Sequence, residues 1–436
     1  MKEVMFSKPA KLAGSYDVVV CGGGPAGFIA AIAAAKQGAR TAIIERFGFF
    51  GGLATAGYVA PISVFSYNGE LNIGGIPWDF VKQLEAMGGA LVEQPLNNVA
   101  FDIEKYKLCA QRMMIDAGVD MYMNSWITGV ESKNGKVSKV FFSNKNGIEF
   151  VESKVFIDAT GDADIAYEAG LTFQEWKDKT RQPVSMCFVL GGVDTKTALV
   201  GESMHHRLQG VNCHCLPVRE RLLEIAEKEK LPSFGGPWFN AVLHDSCVVV
   251  NCTRINADIL NNRNYTAAEC RLREDVYKIV SVLKKEFKEF ENCYVSSVAT
   301  VAGHRESRHL KGVHVITAQE YLSSFKYEDS ISRCSHPIDI HSASGAEQSV
   351  RFLEKAAYVS YRALVSKDSS NIIIAGRTVS AEKEPFASLR VQASCMGMGQ
   401  AAGVAGAMAT KAGCDVKDID VKAFITTLKK LGAVLD

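Results

Sequence analysis

Three short polar runs in this sequence could carry a reaction. Arg254 follows the apolar stretch CVVVNC, His304-Arg305-Glu306-Ser307-Arg308 follows VSSVATVAG, and Asp339-x-His341 closes the segment HPIDIH. Guanidinium groups clamp carboxylates or hydroxylated molecules through paired N–H donors. An imidazole, with its ordinary pKa near 6.5, takes or gives a proton at neutral pH. Each run taken singly reads equally well as a salt bridge or a solvated strand end. A fourth run, Cys213-His214-Cys215 with His205 and His206 upstream, lacks the two separated ligand pairs of structural zinc sites; it reads as a loop, and no metal is expected.

The elements that must hold such groups begin near the N-terminus. Val18, Val19 and Val20 form a β-branched run suited to a buried parallel strand, and Gly22-Gly23-Gly24-Pro25-Ala26-Gly27 follows. FIAAIAAAKQGA predicts a helix closing at Gly38, and TAIIER predicts a second strand. In this strand-turn-helix-strand setting Gly22-x-Gly24-x-x-Gly27 has a physical task. The first glycine allows the tight turn, the second lets a pyrophosphate approach the backbone, and the third lets helix and strand pack closely. The helix start offers unpaired N–H groups to the phosphates. Glu45 ends the second strand, where a carboxylate accepts hydrogen bonds from a ribose diol. The unit reads as a dinucleotide site.

The continuation favours a flavin over a nicotinamide. Arg46 is followed by a glycine-rich loop containing Gly51, Gly52 and Thr55, where nicotinamide enzymes run on into another strand and helix. Residues 126–132, 137–142 and 148–152 predict a β-meander, with turns at Asn134-Gly135 and Asn146-Gly147. A separate buried strand then leads into the small-residue turn Ala159-Thr160-Gly161-Asp162, at the strand end where ligands bind in open α/β sheets. Near the C-terminus, residues 371–375 predict another apolar strand before Gly376. An Ala/Gly helix is predicted from Gly397 to Ala409, its start aimed at the flavin. Helical patterns at 217–230 and 267–290 lie in a middle region without nucleotide motifs. Cys247 and Cys252, five apart beside an apolar strand, face opposite ways and read as core residues, as does Cys395.

The order GGGPAG, ERFGFFGG, IDATGDADIAYEAG, GHRESR, PIDIH, AGRTVSA and RVQASCMGMGQAAG, from about residue 16 to 412, resembles the FAD-dependent oxidoreductase family. That family is related in fold to the glutathione-reductase and fumarate-reductase/hydroxylase flavoproteins. The resemblance implies an α/β chain: a Rossmann-like FAD-binding domain, with a parallel sheet and an inserted β-meander, made of residues 1–171 and 341–436, and an α+β substrate or cap domain at 172–340. It implies non-covalent FAD held by Gly22, Gly24, Pro25, Ala26, Gly27, Glu45, Arg46, Gly51, Gly52, Thr55, Ala159, Thr160, Gly161, Asp162, Gly376, Arg377, Gly397, Met398 and Gln400. It also singles out Arg305, Arg308 and His341, beside Arg254, as catalytic candidates. The expected activity is hydride transfer between flavin and a small polar organic molecule, as a dehydrogenase or reductase. An NAD(P)H-dependent monooxygenase and an electron-transfer subunit without turnover of its own stay open. No second GxGxxG indicates a separate NADPH domain, so NAD(P)H would act without one. Ala375-Gly376-Arg377 stands where hydroxylases of the aromatic type carry Gly-Asp-Ala, which disfavours monooxygenation.

The bulk properties agree with an ordinary enzyme. At 436 residues the chain exceeds the size of one hydrophobic core, so two substructures are expected. A formal net charge of +1 gives no field to attract nucleic acid. No stretch is long and apolar enough to predict a membrane span, and the N-terminal residues lack an apolar leader core. Twelve cysteines without a CxxC fit a reducing compartment, so the chain is expected in the cytoplasm; a homo-oligomer stays open.

Overall fold

The computed structural model of the chain describes residues 4–176, 180–196, 213–343 and 346–436. Among these, the main sheet contains β1 (Ala10–Cys21), β2 (Thr41–Ile44), β3 (Asp120–Tyr122), β4 (Trp126–Lys133), β5 (Lys136–Asn144) and β6 (Gly147–Asp158). Its order is β3-β2-β1-β6-β5-β4, and Ile372–Ile374 also pairs with β6. The pairings β3-β2-β1-β6 and β6 with Ile372–Ile374 are parallel, whereas β6-β5 and β5-β4 are antiparallel. The α/β Rossmann-like arrangement is therefore present.

One expectation fails in an informative way. The third strand of the meander and the buried strand leading to Ala159 are one element, β6, not two. β1 is equally long and accompanies it from Ala10 opposite Ile148 to Cys21 opposite Asp158; the register shifts once, between Leu12 and Gly14, away from the expected gap. Glu152-Ser153-Lys154, where one expected strand gives way to the next, lies within β6. There Ser153 Oγ donates to the Asp17 carbonyl and Lys154 pairs with the Asp17 carboxylate at 2.8 Å.

The helices that bear on the site are α1 (Pro25–Lys36), α2 (Ile76–Ala86), α3 (Asn262–Glu286), α4 (Lys383–Leu389) and α5 (Gln392–Ala412). α1 ends at Lys36 with Gln37 as its C-cap, and Gly38, where the sequence reading closed the helix, adopts the left-handed conformation (φ +84°) one residue beyond. α5 begins five residues before the predicted Gly397. Its N-cap is Val391, in extended conformation, and its small residues serve packing: a Cβ on Gly399 would sit 2.2 Å from the Ala26 carbonyl oxygen, and one on Gly403 2.2 Å from that of Ala30. Absent side chains thus let α5 lie directly on the backbone of α1.

A second, antiparallel sheet contains β7 (Phe188–Gly191), β8 (Cys213–His214), β9 (Phe234–Ala241), β10 (Val248–Thr253) and β11 (Tyr294–Val298), in the order β8-β9-β10-β7-β11. α3 covers it, burying Leu272, Val276, Ile279 and Leu283 against Phe188, Leu190, Val248 and Val250. α3 starts at Asn262, earlier than the pattern suggested, because the Asn261 side chain accepts from the Arg263 and Asn264 N–H groups. The core beneath this sheet draws on residues between Val184 and Ala302, whereas Leu310, Ile316, Ile331 and Ile338 belong to the core of the main sheet. Among the described residues no helix is long and apolar enough to cross a membrane.

Candidate active site

Three parallel strand ends converge. Gly22, after β1, takes φ +95°, and a Cβ there would lie 2.5 Å from the carbonyl oxygen of Ala159, which follows β6. The Ala375 N–H donates to the Asp158 carbonyl, bringing in the turn at Gly376. A Cβ on Gly376 would meet Ala26 at 3.4 Å and Cys395 Sγ at 3.9 Å, so the starts of α1 and α5 meet at this turn. Among the described residues neither helix has a side-chain cap, and neither carries an acidic residue in its first turn. Two helix termini with uncovered N–H groups at the carboxyl edge of a parallel sheet suit an anionic ligand.

The glycines fit a dinucleotide on this edge. A Cβ on Gly27 would fall 1.9 Å from the Gly22 carbonyl oxygen, so this glycine is required for helix and strand to pack. A Cβ on Gly24 would find nothing nearer than Gly52 Cα at 3.9 Å, which leaves its face open to a phosphate. Gly51 and Gly52 both take positive φ and lay their loop against the glycine turn, the Gly51 N–H donating to the Gly23 carbonyl. Thr55 Oγ1 donates to the Phe50 carbonyl and braces the same loop. Glu45 is buried; its carboxylate accepts the Gly23 N–H at 2.6 Å and the Phe47 N–H at 2.8 Å. Burial raises its pKa, against the lowering effect of those two bonds. Arg46 is exposed and lies over the Phe47 and Trp126 rings.

Directly before α5 lies a buried polar cluster drawn from four parts of the chain. Arg254, at the end of β10, donates from Nη1 to Ser185 Oγ at 2.8 Å and to Asn251 Oδ1 at 2.9 Å. Gly235 makes room for it: a Cβ there would stand 2.7 Å from Arg254 Nε. Arg305 donates to the same Ser185 Oγ at 3.0 Å and to the Pro183 carbonyl. Arg390, the C-cap of α4, donates to the Asp339 carbonyl at 3.1 Å, its Nη2 lying 3.6 Å from Asp339 Oδ2. His341 Nε2 lies 3.0 Å from Asp339 Oδ2, and the His341 N–H donates to Gln182 Oε1. Glu306 accepts the Gln182 N–H.

Electrostatics follow from this crowding. Burial, then the charges of Arg254 and Arg390, pull the Arg305 pKa well below its ordinary value. Burial and then Arg305 push His341 down to about 3, although Asp339 opposes them. Asp339 is held far below the usual carboxylate range by His341 and Arg390 despite its burial. At neutral pH the pair is therefore a carboxylate and a neutral imidazole. Asp339 can only accept, so His341 donates Nε2–H to it and keeps the Nδ1 lone pair.

Of the catalytic candidates, Arg254, Arg305 and His341 come together, and Arg308 does not. Arg308 bonds the Asp162 carbonyl and Asp164 and lies over the Tyr167 ring. Asp162 and Arg377 join the same network: Asp162 Oδ1 lies 2.9 Å from His304 Nε2, 2.6 Å from Ser307 Oγ and 3.2 Å from Arg377 Nη2. Arg377 also donates to the Gly161 carbonyl, and Thr160 Oγ1 donates to Asp158. This network knits the turn after β6 to the 304–308 segment. Gly397 abuts Ser332, Met398 is in the core, and Gln400 Oε1 accepts the Ile76 N–H at the start of α2, so these three sit within the packing of α5 and not at its first turn. The residues missed are Arg390, Ser185 and Gln182. Arg390 alone left a sequence signal, a lone charge in the otherwise small and apolar stretch before α5.

The cysteines that the sequence singled out pack as core residues. Burial pushes the Cys395 thiol up to about 12, and Cys252 and Cys247 pack into different hydrophobic clusters. His214 stacks on Trp238 and Cys215 stands at the N-cap position of the following helix, while His205 and His206 lie outside the described residues. Among the described residues no group of three metal-ligating side chains gathers.

A family model described as FAD dependent oxidoreductase matches residues 17–428, and the chain belongs to that family. Dihydrolipoyl dehydrogenase of Acholeplasma laidlawii is 28% identical over 202 residues, 41% of this chain and 53% of that protein. Digeranylgeranylglycerophospholipid reductase of Thermoplasma volcanium is 30% identical over 162 residues, 34% of this chain and 39% of that protein. The match thus spans about half the length of the first curated relative and less of the second. Among solved structures, the flavin-dependent brominase Bmp2 aligns over 95% of this chain and 83% of its own, with a TM-score of 0.49 and 16% identity. A geranylgeranyl bacteriochlorophyll reductase-like protein from Thermoplasma acidophilum aligns over 96% and 84%, with a TM-score of 0.47 and 15% identity.

Proposed function

We propose that this FAD dependent oxidoreductase is a dehydrogenase or reductase acting on a small polar organic molecule, held between the main sheet and the second sheet, which serves as a cap. The observation that carries the reading is the buried Asp339–His341 pair beside the uncapped start of α5. Gly22, Gly24, Gly27, Glu45 and the Gly51-Gly52 loop would hold FAD along the strand ends, with the first turn of α5 turned to its ring. Bound there, FAD supplies a hydride acceptor or donor at N5.

The chain's own groups then manage the proton. Neutral His341, oriented by Asp339, takes at Nδ1 the proton of a substrate hydroxyl or amine as its carbon is oxidised, and returns it in the opposite direction. The guanidiniums orient the substrate, and the buried setting keeps water from the reacting carbon. A nicotinamide can serve as the second electron partner without a domain of its own, entering and leaving by the substrate's route. The test is anaerobic mixing of the purified protein with hydroxy acids, polyols, amines, NADH and NADPH while the flavin band is followed. Bleaching by a panel member supports the reading; reduction by nicotinamide alone, with oxygen-dependent hydroxylation, replaces it with the monooxygenase.

A further inference from the structure

The arginine cluster carries more charge and more donors than the described residues satisfy. Three guanidiniums, Arg254, Arg305 and Arg390, face two carboxylates, Asp339 and Glu306, because the neighbouring His341 is neutral. Among the described residues Arg254 Nη2, Arg390 Nε and Gln182 Nε2 are buried donors without a hydrogen-bond partner, set against one orphaned acceptor of the cluster, Glu306 Oε2. Arg254 is 3% exposed and Gln182 5%. A buried donor without a partner leaves its desolvation penalty unrepaid, so native proteins rarely keep several in one place unless something else fills them. All three belong to residues around the Asp339–His341 pair, whereas the half-buried Arg377 is matched by Asp162 and backbone carbonyls.

We propose that Arg254, Arg305 and Arg390 recognise one carboxylate of the substrate, so that the molecule oxidised or reduced beside His341 is a small organic acid. The proposal rests on the dehydrogenase or reductase reading and narrows it. A carboxylate brings one negative charge for the one unmatched positive charge, and acceptor lone pairs for the orphaned N–H groups. A neutral polyol would satisfy donors but leave the charge buried and unmatched. Gly235 belongs to the same device, since its missing Cβ is what lets the Arg254 guanidinium lie where it does.

The test uses the FAD-loaded protein without turnover, reading perturbation of the flavin's visible spectrum and the shift in Tm. The probes are lactate, succinate and glycolate, the uncharged lactamide and succinamide, glycerol, and inorganic phosphate. At least one carboxylate is expected to bind while its amide does not. Arg254→Met is expected to weaken that binding by ~10- to 100-fold, the loss of a charge-assisted hydrogen bond. Gly235→Ala, which crowds the guanidinium without removing its charge, should weaken it in the same direction if Arg254→Met folds poorly. Equal binding of acid and amide, tighter binding of phosphate or glycerol, or no binding by any carboxylate overturns the proposal. Reduction of the flavin by a polyol or amine would do so while leaving the dehydrogenase reading intact, whereas a protein that holds no flavin defeats that reading itself.

Discussion

His341 illustrates how surroundings decide what a side chain does. Free imidazole titrates near 6.5, but burial and then Arg305 bring this one to about 3, so it is neutral from mildly acidic pH upward. A base must be unprotonated to act, and flavin reduction by substrate should therefore stay flat from pH 5 to pH 8; a rapid-mixing profile with an inflection near 6.5 would contradict this. Asp339→Asn replaces an obligate acceptor with a group whose amide can donate to His341 Nε2, moving the proton to Nδ1 and removing the base. The reduction rate should fall by ~10²- to 10⁴-fold with FAD still bound. Glu45 makes a different point. The carboxylate expected to meet a ribose also accepts the Gly23 N–H, so it shapes the glycine turn itself. Glu45→Ala should raise the Kd for FAD by roughly tenfold or more, the size of a hydrogen bond to a charged group, measured by flavin fluorescence on titration. Unchanged affinity would remove Glu45 from the cofactor site.

At the level of elements, α5 separates two uses of glycine that look the same in a sequence. Gly399 and Gly403 face the backbone of α1, and any side chain would displace it. Gly406 faces Val155, Val18 and Ile157, where a Cβ would meet ordinary contacts at 3.4 to 3.6 Å. Gly403→Val should therefore lower stability by 1–3 kcal/mol or more, as overpacking does, and loosen FAD by tilting α1. Gly406→Ala should be neutral or stabilising by up to about 1 kcal/mol, since glycine weakens helix interiors. Thermal melts of the two variants with and without FAD decide the matter, and equal damage from both would mean that α5 packs differently. The same contrast explains the displaced helix start: the small residues that made Gly397 look like a terminus are interior packing positions, and the terminus follows Arg390 and Val391.

For the molecule as a whole, two sheets with separate cores enclose a polar seam, and the seam governs how stability responds to acid. His309, His336 and His341 lie at about 3, about 4 and about 3, burial being the first cause each time. The unfolded chain binds these protons near pH 6.5, so their contribution is complete above that pH and is lost as pH falls toward the folded values. Asp158, raised to about 6 by burial, works the other way, because the folded form holds its proton longer. His309 stacks on Trp176 and meets Phe386 edge-on, so His309→Phe keeps the packing while removing one titration. The urea-unfolding free energy of this variant should vary less steeply between pH 6 and pH 4, by about 1.4 kcal/mol per pH unit relative to the parent chain. An unaltered slope would place His309 at its ordinary pKa.

What the sequence determined by itself was local. The β-branched run, the three spaced glycines and the alanine-rich helix act on neighbours within about thirty residues, where backbone sterics and periodicity dictate the outcome whatever the rest of the chain does. The family order of motifs extended that reading to FAD. Tertiary structure alone decided which charges meet. Arg254, Arg305, Asp339 and Arg390 are separated by dozens of residues, and nothing in the neighbourhoods of Arg254 and Arg305 distinguishes them from Arg308, which went to Asp162 and Asp164 instead. Their shared burial depends on how the second sheet closes over the first. Burial is a property of the packed chain, and burial turned ordinary guanidiniums and an ordinary histidine into a site.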